Sequence, residues 1–387
     1  MSKIALIGAT IFDGTTRHEN SALLLADDAC SGVVVREELP DDFEVVELDS
    51  GLLAPGFIDL QVNGGGGVMF NDQPNLMGIQ TICDAHARFG TTGLLPTLIT
   101  DTPDVTAHAL YAGFEAAENN VPGFLGLHLE GPHLDVARKG AHRADYIRPM
   151  LDKDVVQLCE ARKHLRNLMV TVAPESVSDE QITELADAGI VVSLGHTDID
   201  AKRAKQAFAA GASCVTHLYN AMSGLSHREP GLVGATLNSD AVFAGLIADG
   251  HHVAPDAINI ALRSKTGTGK VFLVTDAMSV IGTDLAEFTL NGRKIFRADG
   301  KLTLEDGTLA GADLDMMSAI AFMQANTSLG QDEVLRMASL YPAQCLGVEA
   351  DRGSFAKDRR ADVVHVADDL MVKSVWRAGQ KLVRRNG

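Results

Sequence analysis

Glu130, His196 and His217 are a carboxylate and two imidazoles, and each stands at the polar end of an apolar, β-branched run. Each can place one ligand atom on a divalent cation. Two imidazoles with one carboxylate form a standard catalytic zinc set that leaves a position open for water. Asp276, in LVTDAM, ends another such run, where a carboxylate can serve as the general base that takes a proton from that water. Each residue also has a plain structural alternative. A single histidine after a strand is more often a hydrogen-bonded structural group, and Asp276 could cap a helix. Two histidines and a glutamate in one ring of positions favour the metal. Glu175, in VAPES, is assigned to structure or to support of the ligands.

These residues share one fold-level address. Eight near-continuous hydrophobic runs stop at polar or glycine-containing turns: 53–62, 92–98, 124–129, 168–173, 190–194, 214–218, 242–248 and 271–275. Strands buried on both faces of a parallel sheet have this character. Helical patterns separate most of them, at 76–89, 105–118, 154–164, 179–188, 200–210 and 255–263, and resume at 314–327 and 332–339. Eight βα units of this size predict an α/β fold built on a (β/α)8 TIM-like barrel, whose catalytic groups come from the carboxyl ends of the strands. An open doubly wound sheet is the alternative, but the Gly64–Gly67 run is not the GxGxxG turn that fold would place there. The strand ends in order carry Gln61 and Asn63, Thr97, Glu130, Glu175, His196, His217, the Asp249–His252 cluster, and Asp276. Binuclear metallohydrolases of this architecture usually begin with His-x-His at the first strand end. Here Gln61-Val62-Asn63 stands instead, and neutral amides are poor ligands, so one metal is expected, with Gln61 at most near its water.

Residues 1–53 read as short strands, and so does the stretch from 362 onward. Neither end could bury a core alone, so the two are paired into a small β-sandwich domain of residues 1–53 and 350–387 around a barrel of 54–349. After the eighth barrel strand, turns at Asn291-Gly292 and Asp299-Gly300 predict a β-hairpin excursion.

Composition limits the partners. Lys+Arg 33 against Asp+Glu 51 gives a formal charge of −18, and without a basic run to offset it, nucleic acid and anionic membrane are improbable partners. No apolar stretch approaches the ~20 residues of a membrane span. The amino terminus lacks a signal-peptide pattern, which predicts a cytoplasmic protein. Five cysteines without a CxxC pair predict reduced thiols.

PGFIDLQVNG (55–64), LHLEGPHL (127–134), SLGHT (193–197), THLYNAMSGLSHREPG (216–231), VTDAM (274–278) and LAGA (309–312) together resemble the N-acetylglucosamine-6-phosphate deacetylases of the amidohydrolase superfamily. The resemblance spans almost the whole chain. It implies hydrolysis of N-acetyl-D-glucosamine 6-phosphate to glucosamine 6-phosphate and acetate, with one divalent metal per subunit, zinc or ferrous iron. It also implies a homodimer. Position by position it implies Glu130, His196 and His217 as metal ligands, Asp276 as acid/base, and His142, in KGAH, as the group that polarises the acetyl carbonyl. Substrate contacts implied by the resemblance are Ala141, Asn220, Ala221, Arg228, His252 and the loop Leu309, Ala310, Gly311 and Ala312. Arg228 would reach in from the partner subunit, and either His251 or His252 would meet the phosphate. Tyr219 departs from the family pattern, where Phe is more usual. Other amidohydrolases, such as an N-acyl-D-amino-acid deacylase or a dihydroorotase-like amidase, and a barrel serving only as a scaffold, are the competing readings.

Overall fold

Eight short, almost entirely buried segments form one parallel sheet in the order of the chain. In the computed structural model, which describes residues 2–382, the barrel strands are β1 (Phe57–Val62), β2 (Thr91–Ile99), β3 (Leu127–Glu130), β4 (Leu168–Val172), β5 (Val191–Leu194), β6 (Cys214–Val215), β7 (Phe243–Ile247) and β8 (Val271–Val274). Each pairs in parallel with its neighbours in sequence. The ring closes between its ends, where Val62 bridges Ala277 and the Asp276 amide donates to the Gln61 carbonyl at 2.9 Å. This closure makes the first and last strand ends neighbours, and so brings Gln61, Asn63 and Asp276 together.

Helices follow most strands, and several are capped as their sequences dictate. Asn75, Thr102, Ser178 and Asp200 accept from backbone amides in the first turns of helices Leu76–Ala87, Pro103–Glu118, Asp179–Asp187 and Ala201–Ala209. The helix between β6 and β7, Gly231–Leu237, is absent from the sequence reading. Its seven residues, GLVGATL, carry two glycines and are all buried, so no 3.6-residue polar alternation marks it.

Several boundaries differ from expectation, among them the third strand, which starts at Leu127 rather than at 124, and two of the differences bear on the site. The run 53–62 is two strands, because Leu52–Pro55 pairs with Val363–Val366 of a terminal sheet and only Phe57–Val62 enters the barrel. Gly56 marks the break: a Cβ there would lie 2.1 Å from Thr92 Oγ1 in β2, so the crossing requires glycine. The sixth strand ends at Val215 rather than Leu218, because His217 takes a left-handed conformation (φ 31°) and leaves the ladder.

The chain ends form two further sheets. One runs in the order Ala29–Val35, Ser21–Ala26, Lys3–Ile7, Glu44–Glu47. The other runs Gln380–Lys381, Val372–Arg377, Val363–Val366, Leu52–Pro55, Thr10–Phe12, Arg17–His18. Leu6, Leu23 and Leu25 of the first sheet share a buried cluster with Ile11, Leu53, Val363 and Trp376 of the second. Residues 383–387 of the expected terminal segment lie outside the described residues.

The excursion after β8 is a four-stranded antiparallel sheet of Glu287–Leu290, Arg293–Ala298, Lys301–Thr303 and Leu309–Ala312. Asn291-Gly292 and Asp299-Gly300 form its first two turns with positive φ at all four residues, which suits two-residue hairpins. Its last strand returns to the barrel mouth, where the Ala312 amide donates to the Asp276 carbonyl at 2.9 Å.

Candidate metal centre and pocket

His196, His217 and Asp276 share a backbone state as well as a location. Each follows a strand with a positive φ, 50°, 31° and 51° respectively. Such strain concentrates at functional sites, and His and Asp tolerate this region better than most residues. At each position the chain leaves the ladder and turns a side chain into the barrel mouth. Glu175 supports one of these turns: its carboxylate accepts from Thr197 Oγ1 at 2.6 Å and from the Asp198 amide at 2.8 Å, which holds the segment after His196.

Glu130 Oε1, His196 Nε2 and His217 Nε2 form a triangle with all three edges 3.1 Å. The His196 Nδ1 lies 2.8 Å from the Arg138 carbonyl. A carbonyl only accepts, so Nδ1 carries the proton and Nε2 presents a lone pair to the triangle. Glu130 is ionised: burial alone would raise its carboxyl, but His196 and His217 beside it pull it well below the ordinary range. His217 Nδ1 is buried without a hydrogen-bond partner among the described residues. One proton cannot serve all three edges of such a triangle, whereas a cation can. Ligands at ~2.0–2.1 Å in tetrahedral directions stand ~3.3 Å apart, close to the edges found, so the donor set fits a divalent metal.

His142 is a fourth candidate by proximity, since Glu130, His142 and His196 can bring one ligand atom each within 4.8 Å of one another. Its hydrogen bonding separates it from the triangle. The Thr100 amide donates to His142 Nδ1 at 3.3 Å and the Thr100 hydroxyl lies 2.8 Å from the same nitrogen, so with amide and hydroxyl both donating, Nδ1 carries the lone pair. Burial and the neighbouring His196 push the imidazole pKa down to about 3, so it is neutral, and its proton resides on Nε2. That nitrogen lies 3.9 Å from Glu130 Oε2. His142 therefore faces the site as a donor, with the opposite polarity to His196.

Asp276 lies beside the triangle. Asn63 Nδ2 donates to its Oδ1 at 2.6 Å and Gln61 Nε2 at 3.2 Å, while Gln61 Nε2 also reaches Glu130 Oε1 at 3.1 Å. The amide of Gln61 thus occupies the place between the two carboxylates. Burial, followed by the charge of Glu130, raises the Asp276 carboxyl to about 6, against the opposing pull of His217, His252 and Asn63.

A cavity of about 240 Å³ opens over these groups, lined by Asn63, Glu130, Ala141, His142, His196, His217, Asn220, Ala221, His252, Asp276, Leu309 and Gly311, among others. Of the expected loop 309–312, Leu309 and Gly311 face the cavity. Ala310 and Ala312 are buried in the core on the other side, as alternation along a strand requires. His252 faces the cavity, its Nδ1 held 2.6 Å from Asp249 Oδ2, whereas His251 is exposed near the Gly300 turn. Asp249 stands at a strand end noted in the sequence, but its hold on His252 appears only in three dimensions. The Ala141 carbonyl accepts from Arg293 of the hairpin sheet. Arg228 is exposed and lies outside the cavity lining. Tyr219 uses its hydroxyl to donate to the Ala257 carbonyl at 3.0 Å, so the extra oxygen relative to Phe is satisfied.

Comparison with known proteins agrees with this geometry. The pattern of the amidohydrolase family matches residues 52–382. An N-acetylgalactosamine-6-phosphate deacetylase of Shewanella sp. (strain ANA-3) is 41% identical over 97% of this chain and 95% of its own. An N-acetylglucosamine-6-phosphate deacetylase of Haemophilus influenzae is 34% identical over 93% of this chain and 94% of its own. The crystal structure of the N-acetylglucosamine-6-phosphate deacetylase from Pasteurella multocida superposes with a TM-score of 0.95 at 33% identity, covering 99% of this chain and 100% of that one. A Mycobacterium smegmatis deacetylase, solved as an aspartate-to-alanine mutant in complex with N-acetyl-D-glucosamine 6-phosphate, superposes at 0.91 with 29% identity, over 99% and 100% of the two chains. With its eight-stranded barrel, its His/Glu divalent-metal site and these relatives, the chain belongs to the amidohydrolase family, in the group that includes the N-acetylglucosamine- and N-acetylgalactosamine-6-phosphate deacetylases.

Proposed function

We propose that the protein hydrolyses the acetamide of N-acetyl-D-glucosamine 6-phosphate to D-glucosamine 6-phosphate and acetate. The observation that carries this reading is the 3.1 Å triangle of Glu130, His196 and His217 beside a buried carboxylate, Asp276, in a chain whose relatives are deacetylases of such sugars. Glu130, His196 and His217 hold one divalent cation, which we assign as zinc, with ferrous iron the alternative for the same donor set. When bound, that cation supplies Lewis acidity, bringing the pKa of water from 15.7 toward ~7. Asp276 takes the proton from the attacking water and later gives it to the departing amine nitrogen. His142, with its proton on Nε2, donates to the acetyl oxygen as negative charge develops there. Gln61 and Asn63 direct their N–H groups at the carboxylates where a second cation would need ligands, which supports a single metal.

His252 and Asn220 line the cavity on the side assigned to the sugar phosphate. Arg228 completes that subsite from a second copy of the chain, since its own cavity does not include it. An Arg228→Ala variant should then raise KM for the phosphorylated sugar by about 10- to 100-fold, the scale of one charge-assisted contact, with little change in kcat. An unchanged KM would remove Arg228 from the site.

The pH dependence follows from Asp276. Its carboxyl lies at about 6 without a cation, and a nearby cation stabilises the carboxylate further. The base must be deprotonated, so kcat should rise with pH through a midpoint no higher than about 6. A midpoint above 7 would point to another base.

A second reading concerns the sugar. The 41% identity to the Shewanella deacetylase supports the galacto epimer as substrate. Acetate release from both epimers, with and without the 6-phosphate, tests both readings. Equal rates with and without phosphate would end the phosphate assignment, and no release from any of them would end the deacetylase reading. No helix among the described residues is long and apolar enough to cross a membrane, and the free cysteines support a reducing, cytoplasmic location.

A further inference from the structure

Asn63 is fully buried and lines the cavity, yet only half of its amide is used. Its Nδ2 donates to Asp276 Oδ1 at 2.6 Å, and its Oδ1 has no hydrogen-bond partner among the described residues. The orientation is set by chemistry: a flipped amide would place its oxygen against the carboxylate oxygen of Asp276. A buried acceptor left unmatched costs about 1–3 kcal/mol, so a donor from whatever enters the cavity is favoured there.

Two other acceptors around the reacting centre are committed. Glu130 Oε1 belongs to the triangle, and the Asp276 Oδ1 already receives Gln61 and Asn63. The second Asp276 oxygen is free for proton transfer, and among the described residues that line the cavity Asn63 Oδ1 is the one buried side-chain oxygen without a partner. A secondary acetamide is planar and trans, with its carbonyl oxygen and N–H pointing in opposite directions. His142 offers a donor to the first. Asn63 offers the acceptor for the second, on the same planar amide that contacts Asp276.

We propose that Asn63 is a further catalytic residue whose Oδ1 accepts a hydrogen bond from the N–H of the scissile acetamide. This inference rests on the hydrolysis of an acetamide proposed above. The contact holds the amide nitrogen next to Asp276. When the C–N bond breaks, its electron pair passes to nitrogen, the proton held by Asp276 goes to that nitrogen, and the acetyl carbon keeps the oxygen gained from water. The original N–H proton remains on nitrogen throughout, still bonded to Asn63. The same contact selects amides over esters, because an ester presents no N–H.

The test compares two 6-phosphorylated sugars that carry the C2 acetyl group through nitrogen or through oxygen, in the parent enzyme and in Asn63→Ala. Taking the ratio of kcat/KM for amide and ester within each preparation cancels any loss of folded or metal-loaded protein. Asn63→Ala should lower that ratio by about tenfold, the scale of one hydrogen bond. A ratio within twofold of the parent's would overturn the proposal. Dissociation constants in an Asp276→Asn background give an independent reading. There Asn63→Ala should weaken the amide sugar by a similar factor and leave the ester unchanged, and equal weakening of both would again overturn it. A parent enzyme inactive on the amide would instead count against the deacetylase reading itself.

Discussion

Asp276→Asn should lower kcat by about 10³- to 10⁴-fold, at the upper end of what general acid–base groups contribute, because in the proposed reaction one carboxylate serves both proton transfers. In free energy that is about 4–5 kcal/mol of transition-state stabilisation. The variant should fold, since asparagine tolerates the positive φ of 51° that Asp276 adopts, and it should retain its metal, since Asp276 lies outside the triangle. Steady-state acetate release together with elemental analysis checks both halves. Activity within tenfold of the parent would mean that another group moves the proton.

Glu130→Gln should have the second large effect, for a different reason. Glu130 is the one carboxylate of the triangle, and its Oε1 is 3.1 Å from both imidazole nitrogens. The glutamine keeps the shape but loses the charge and sets an NH₂ or a neutral oxygen against the ligand set. Outer partners of metal ligands typically contribute 10- to 100-fold in affinity, and a ligand should exceed that. The purified variant should therefore contain substoichiometric metal, and its activity should fall in proportion. Restoration by millimolar metal would confirm that the loss is one of affinity. A variant with a full equivalent of metal and no activity would instead assign Glu130 to chemistry.

The two effects are separable because the site has two parts with different sequence signals. The convergence of Glu130, His196, His217 and Asp276 was legible because a parallel barrel presents the residues that follow its strands at one mouth, and those strands read as continuous apolar runs. The pairing of chain ends into sheets was legible for a similar reason, since short strands at each end need partners. What the sequence did not show depends on contacts between distant segments. Thr100 sets which nitrogen of His142 carries the proton through one backbone amide, and no residue type predicts that. Arg293 reaches the Ala141 carbonyl from a hairpin sheet that comes more than a hundred residues later. Gly231–Leu237 escaped notice because a helix buried on all sides loses its periodic signature. The end of the sixth strand was misplaced because hydrophobicity continues through Leu218 while the backbone has already turned at His217. Ala310 and Ala312 entered the expected contact loop by adjacency, but a strand gives only alternate side chains to one face.

Asn63 shows the same boundary. Its type argued against a second metal, and that argument needed only the chemistry of neutral amides. Its pairing with Asp276 required ring closure between β1 and β8, which brings Asn63 Nδ2 within 2.6 Å of Asp276 Oδ1 across 213 residues of sequence.

In the proposed reaction Glu130, His196 and His217 would hold one divalent cation, and Asp276 would move the protons, as the acetamide of a sugar phosphate is hydrolysed. Titrating metal-free protein with zinc while following acetate release from N-acetyl-D-glucosamine 6-phosphate tests it most directly. Activity should be negligible without metal, rise linearly, and reach a plateau at one equivalent per chain. Full activity in metal-free protein, or a plateau only at two equivalents, would contradict it.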